Sequence, residues 1–525
     1  MDQLPAWEPL YSVLPALILF YVAFDAFQAK KEVDKQASLP LIGTPWTLTP
    51  RFFLNSRFAW DAVGLLEQGY QKSKTLPFQL VQNDKNVVVL PHHLLQELST
   101  IPSSVASPHG GLERDLLGPY SGLDLVLQTR LHHAVIQRKL TPRLAQVTPG
   151  LEKELAAALE DCLPTCENDW AEFQPYIAFR QVLARLSGNL IIGPAFEHKK
   201  AWEELQLNYV ENLFTTIVVL RLFPAWLRPT ISLVLPSYWL CRRSLATAKR
   251  MLGPTVRQLL KDNDAGLSLS QDPSGENFNI LSWLIDSVKG RDRDPDTLMH
   301  AMVIVALASL HTVLLRVVNV LYDLADNPDL LDKVRAEIET TAADPQGWSD
   351  SPYEKLHKFD SVLVESQRTS PPTTTGLKRL FKEPYTFQNG FHVDKGTYVC
   401  MPIYSIENDP VHTPHPEVFD GLRQYRVLQA QKSDPANTNN TNNKTQFSVP
   451  TTTILNFGYG KSACPGRFFA ALEIKMVFVK LLTEYDFKFL PGTQRPSNLM
   501  LHEFLFTWPW TKMLVRRREG GVCPF

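Results

Sequence analysis

Apolar and polar positions along this chain recur mostly at the helical period, with a few short stretches at the strand period. Amphipathic stretches near 58–72, 145–162, 199–222 and 237–262 predict helices, separated by proline-rich breaks such as PAWLRP at 224–229. VVVL at 87–90, TYVCM at 397–401 and TTTILNF at 451–457 predict short strands, clustered toward the two ends of the body. A mainly α fold with small β-sheets is expected. The longest apolar helix should start at Asp294-Pro295, a capping residue and a proline suited to the first turn, and end at the stop signal Asp326-Asn327-Pro328. Thr297 to Leu315 holds no Lys, Arg, Asp or Glu, so hydropathy alone also admits a membrane span. Polar groups on successive turns, His300, Ser309, His311 and Thr312, favour one wall of a buried site instead.

The N-terminus carries a second apolar run. Pro9 to Phe24 is uncharged, and its sixteen residues would rise about 24 Å as a helix against a hydrocarbon core of about 30 Å. A cleaved signal peptide competes with a membrane anchor here, although no basic region precedes the run and no small-x-small site follows it. Glu8 before the run and Lys30, Lys31 and Lys35 after it predict a single-pass anchor with a cytosolic body. The proline-rich SLPLIGTPWTLTP at 38–50 reads as a hinge, so residues 1–37 form the anchor and 38–525 the body. Ser433 to Thr445 is polar and of low complexity, which predicts a surface loop. At 525 residues and 44% apolar the chain can bury a large core, while 53 Lys+Arg against 54 Asp+Glu leaves no basic excess for nucleic acid. Six cysteines without CxxC spacing indicate neither a disulfide scaffold nor a zinc site.

The chemistry concentrates in FGYGKSACPGRFFA, residues 457–470. A strand-like run enters a turn with two glycines; Cys464 and Pro465 follow, and then an apolar helix to about Leu482. A cysteine at a helix N-terminus meets free N–H groups and the helix dipole, which favour a thiolate, and the glycines would let a flat cofactor approach the backbone. Alone, such a cysteine also reads as a small buried residue. Gly458-x-Gly460-x-x-Ala463 matches a dinucleotide fingerprint, but only 67 residues follow Gly458.

The stretch resembles the cysteine-ligand loop of the cytochrome P450 family, Phe-x-x-Gly-x-Arg/His-x-Cys-x-Gly, in Phe457, Gly460, Cys464 and Gly466. Ser462 departs from it, standing where the family places a cation on a haem propionate, with Lys461 adjacent. VLVESQR resembles the family's Glu-x-x-Arg helix, and Arg423 the later arginine that joins it, which implies a structural cluster of Glu365, Arg368 and Arg423. Arg379 resembles a strand arginine that meets a propionate; in LHHAVIQRKLTP, His133 and Gln137 replace the usual tryptophan and arginine, leaving Arg138 as a candidate partner.

In the long helix Ala308 and Thr312 match the family pattern, while Ser309 replaces a glycine and His311 an acid, as in a group of fungal enzymes similar to those of gibberellin and indole-diterpene pathways. The resemblance covers about residues 38 to 518. It implies haem b (iron protoporphyrin IX) ligated by Cys464, and insertion of one oxygen atom from O₂ into an apolar substrate, with a terpenoid or related fungal secondary metabolite expected. It further implies NADPH-derived electrons from a separate NADPH-cytochrome P450 reductase, an endoplasmic reticulum location, and a pocket near Val305, Ala308, Thr373 to Thr375 and Phe504 to Phe506. Thr312 and His311 are its candidate proton-delivery residues, His311 because an unperturbed imidazole titrates near 6.5. A packing histidine is the plainer alternative. Two rivals share the ligand loop: a haem-thiolate isomerase or dehydratase that needs no reductase, and a haem-binding sensor without turnover.

Overall fold

The computed structural model describes residues 39–44, 49–82, 85–125, 129–166, 169–193, 196–267, 278–344, 348, 352–433 and 445–525. The apolar run 9–24 and nearly all of the polar insertion 433–445 lie outside the described residues. Where the sequence shows the helical period, helices form, as α1 (Arg51–Lys72), α3 (Leu144–Cys162), α5 (Lys199–Arg221) and α6 (Pro236–Asp264), and two further helices not expected from it, α2 (Pro108–Asp115) and α4 (Pro175–Ile192), lie between them. Three more complete the frame of the site: α7 (Pro295–Asp326), α8 (His357–Thr369) and α9 (Arg467–Glu484). α1 bends at Asp61, whose carboxylate accepts the Gly64 N–H at 3.2 Å and so caps the second segment.

α7 starts where its cap signals place it. Asp294 Oδ2 accepts from the Thr297 N–H at 2.9 Å, and Pro295 occupies the first turn, where its missing N–H costs nothing. From Leu298 to Leu324 every side chain is buried except Ala308, Ser309 and Thr312. α7 is therefore a core helix, packed against α4, α6 and α9, although its length and composition alone would let it cross a membrane.

The strands come from both ends of the body, as their sequence positions suggest. β1 (Phe78–Gln82), β2 (Lys85–Val89), β3 (Ala106–Ser107), β5 (Gly376–Phe381) and β6 (Tyr398–Met401) form one sheet in the order β1-β2-β6-β5-β3. Its β2–β6 pair is parallel and the others antiparallel. β4 (Ala171–Phe173), β7 (Tyr485–Phe489) and β10 (Met513–Arg517) form a second sheet with β10 central, and β8 (Leu499–Leu501) with β9 (Phe504–Phe506) make a hairpin. One large apolar core lies among the helices and two smaller ones flank the first sheet.

Two local expectations are corrected. Residues 451–457 are not a strand: Thr451 Oγ1 accepts the N–H groups of Thr453 and Ile454 at 3.3 and 3.1 Å, turning the backbone back on itself. The helix after the cysteine begins at Arg467, with Gly466 as its N-cap, so Pro465 precedes it rather than opening it.

Candidate active site

The cysteine loop is held from both sides. Cys464 N–H donates to Phe457 O at 2.7 Å, closing the turn, and the Phe457 ring meets Phe447 edge-on at 5.0 Å. Gly460 sits at φ +62°, and a Cβ there would stand 3.2 Å from the Ser99 side chain, so both conformation and space require glycine. At the loop's entrance the buried Glu407 carboxyl accepts from the Leu455 N–H at 2.5 Å and Asn456 Nδ2 at 2.6 Å. Burial pushes the pKa of Glu407 up to about 7 even against these two donors.

Cys464 is exposed by surface area, yet burial by surrounding protein raises its thiol pKa, opposed by the N–H groups of Gly466 and Arg467. Its accessible surface therefore opens into an internal hollow beside the core helix α9 and not to bulk solvent. The thiolate-favouring helix end expected from the sequence is thus outweighed by desolvation. At Gly466 a Cβ would meet Cys464 Sγ at 4.0 Å in ordinary contact, so the space beside this glycine is open on the side of the sulfur.

Between Leu298 and Leu324 of α7 the exposed residues are Ala308 and Thr312, four apart, and they share one stripe of the helix. The Thr312 hydroxyl donates to Ala308 O at 3.0 Å. His311 faces the flank of this stripe and is buried; its ring stacks on Phe214 of α5 at 4.0 Å between centroids and 30° between planes. Burial alone lowers its pKa to about 4. The expected titration near 6.5 is therefore corrected: at neutral pH this imidazole is uncharged.

Beside the loop lies a cavity of about 420 Å³ whose wall includes His109, Arg130, His133, Arg379, Lys461 and Ser462, with no Asp or Glu in its lining. Arg379 is 3% exposed; its Nη1 donates to Lys378 O at 2.9 Å, and it has no carboxylate partner among the described residues. Desolvation accordingly lowers its pKa to about 10. His109 falls to about 4, through burial first and then through Arg130, His133, Arg379 and Lys382. Mutually repelling cations around an acid-free cavity are a donor set for a dianion, as the two carboxylates of a haem would be. The residues present fit that group. Arg138 is not brought here; it is exposed on the turn Ile136–Leu140, and His109 and Arg130 stand in its place.

Glu365, Arg368 and Arg423 do come together. Arg368 grips Glu365 with Nε at 3.0 Å and Nη2 at 2.6 Å, and Arg423 reaches the same carboxylate twice at 3.3 Å. Asp420 N–H adds a bond at 2.9 Å, and Arg368 Nη1 continues to Asn408 and Pro416 O. The cluster ties α8 to the chain segment 414–423 and touches nothing in the hollow. A second buried network escaped the sequence reading. Arg221 at the end of α5 forks onto Glu503 at 3.1 and 2.7 Å; Lys378 meets Glu503 at 3.1 Å and Asp115 at 2.5 Å; Tyr398 donates to Asp115 at 2.7 Å. No spacing rule links these five residues in the sequence, since four separate elements and the hairpin turn contribute one each.

The family model described as "Cytochrome P450" matches residues 117–515. The chain is 34% identical to a cytochrome P450 monooxygenase, AN1598, of Emericella nidulans over 486 residues, 92% of this chain and 89% of that protein. It is 30% identical to an ent-kaurene oxidase, P450-4, of Gibberella fujikuroi over 510 residues (95% and 98%), and 31% identical to the monooxygenase paxP of Penicillium paxilli over 480 residues (90% and 89%). Among solved structures, a retinoic acid-bound cyanobacterial CYP120A1 superposes with a TM-score of 0.63 at 20% identity, covering 91% of this chain and 99% of that one.

Proposed function

The chain belongs to the cytochrome P450 family, and from that premise we propose a membrane-associated haem-thiolate monooxygenase acting on a terpenoid or related fungal secondary metabolite. The observation that carries this reading is an accessible cysteine deep in the core beside an acid-free, cation-lined cavity. Cys464 would hold the iron of haem b, with Phe457, Gly460 and Gly466 shaping the loop, and Arg379, His109, Arg130 and Lys461 would hold the propionates. The bound haem would supply activation of O₂ with electrons that a separate NADPH-cytochrome P450 reductase delivers. The chain's own part is to exclude water and place protons. The Thr312 hydroxyl is the group we assign to proton delivery; neutral His311, beside it, can share a hydrogen bond but carries no titratable charge at working pH. Glu365, Arg368 and Arg423 keep the frame.

The apolar partner and the membrane share one face. Asn55 Nδ2 donates to Arg221 O at 2.6 Å, joining the start of α1 to the end of α5. Exposed Phe52 and Phe53 lie on the first of these elements, and Trp226, Leu233 and Val234 follow the second. A patch of this kind suits a lipid surface, and with the run 9–24 it supports a single-pass endoplasmic reticulum protein with a cytosolic body and substrate entry from the bilayer. The test is spectral and catalytic. Full-length enzyme reconstituted with reductase should oxidise NADPH in a substrate-dependent way, and its reduced carbonyl complex should show the red-shifted Soret band of thiolate ligation. Cys464→Ser should abolish that band; an unchanged band places the ligand elsewhere.

A further inference from the structure

Phe214 of α5 and Phe504 and Phe506 of β9 are each half-buried, so part of every ring remains accessible. Phe214 meets Phe504 edge-on at 6.1 Å and Phe506 at 5.9 Å; His311 lies 4.0 Å from Phe214 and 6.1 Å from Phe506. The four rings form one aromatic wall next to Thr312. This wall does not give easily, because buried ions fix both elements that carry it. The Arg221–Glu503 fork joins α5 to the hairpin turn, and the Arg221 guanidinium and Lys378 ammonium lie over Phe504 at 5.3 and 5.6 Å. Two backbone bonds, Thr374 N–H to Glu503 O and His502 N–H to Ala59 O, both at 2.8 Å, hold the turn further.

Within this wall His311 is 8% exposed, and no described residue hydrogen-bonds its ring nitrogens. A neutral imidazole offers one N–H donor and one acceptor nitrogen, and neither His311 nitrogen is among the fully enclosed unpartnered atoms, so both keep accessible surface at which a ligand can bond them. A packing role alone would be met better by phenylalanine at this position. We infer that His311 is a positioning and specificity residue: it hydrogen-bonds an oxygen that the substrate already carries, while the phenylalanines hold a rigid polycyclic aliphatic body. The substrate is then an alcohol or ketone left by an earlier oxygenation, not the bare hydrocarbon. This rests on the hollow beside Thr312 being the substrate chamber.

The test titrates haem-loaded, full-length enzyme by the spin-state absorbance shift, using rigid tricyclic and tetracyclic terpene hydrocarbons and their monohydroxy and monoketo derivatives. Wild type should bind at least one oxygenated member about tenfold more tightly than its parent hydrocarbon, the size of one buried hydrogen bond. His311→Phe keeps an aromatic ring against Phe214 and should bring the pair within about twofold. Phe214→Leu leaves the imidazole in place and should weaken all members while keeping the preference for oxygen. Equal affinities in wild type, a preference that survives in His311→Phe, or no spectral shift with any member overturns the inference. Should His311→Phe lose its haem, the wild-type ratio and Phe214→Leu still decide. Absence of the thiolate carbonyl band in wild type would instead sink the reading of Cys464, so the two failures are told apart.

Discussion

Glu473 on α9 is 1% exposed, its Oε2 has no partner among the described residues, and burial raises its pKa to about 8. In the unfolded chain the carboxyl titrates near the usual 4.5. Between these values the folded protein keeps a proton that the unfolded chain has released, so stability falls as pH rises through that window. Each pH unit within it costs about 1.36 kcal/mol, so about 2.7 kcal/mol separates pH ~6 from pH ~8. A domain of this size unfolds with an entropy near 1 kcal/mol/K, which makes the loss about 3 °C in thermal midpoint. Glu473→Gln keeps the shape and removes the titration. The assay compares thermal midpoints of haem-loaded wild type and Glu473→Gln at both pH values and takes the difference of differences, which cancels Glu407 and other groups that titrate in the same range. The variant should gain about 3 °C on wild type between pH ~6 and pH ~8. Identical pH profiles for the two proteins would refute the argument and mean that Glu473 ionises at no cost.

Arg368→Ala leaves the Glu365 carboxylate buried with the Asp420 N–H at 2.9 Å and the 3.3 Å contacts of Arg423, a loss of about 3–5 kcal/mol that should appear as a low haem-to-protein ratio; full haem content would show the cluster to be dispensable. Thr312→Ala should keep NADPH oxidation while product falls and hydrogen peroxide rises, and an unchanged product-to-NADPH ratio would remove the hydroxyl from proton delivery. Deleting residues 1–36 should leave haem binding intact and weaken membrane sedimentation without abolishing it, since Phe52, Phe53 and Trp226 remain; a truncated protein unable to take up haem would move the hinge boundary.

Features written in contiguous residues were legible from the sequence. α7 announced both ends, because Asp294, Pro295 and Pro328 act on their own neighbours. The cysteine loop and the Glu365–Arg368 pair were legible for the same reason, since a turn and a single helical turn bring their parts together. Tertiary setting decided the rest. The Thr451 to Thr453 run has strand composition but bonds to its own backbone. His109 and Arg130 join Arg379 only across the fold, whereas Arg138 is marked in the sequence by its neighbour Gln137, which replaces the family's arginine, and does not line the cavity. Nothing in the sequence states that Phe214 covers His311, and that cover moves its pKa.

α7 also acts as a beam with separately fastened ends. Near its start His300 bonds Gly122 O; farther along, Arg316 grips Ser366 Oγ and Ser370 O at 2.8 and 2.6 Å, and Asp323 holds Arg495 at 2.6 Å. Ser366 is the neighbour of Glu365, so the beam and the cluster that ties down segment 414–423 share one footing on α8. The span between fastenings, which includes Ala308 and Thr312, touches α5 and β9 only through side-chain packing. Residues of that aromatic wall can therefore be exchanged during evolution without loosening the span, and the protein can acquire new substrates while Thr312 keeps its place.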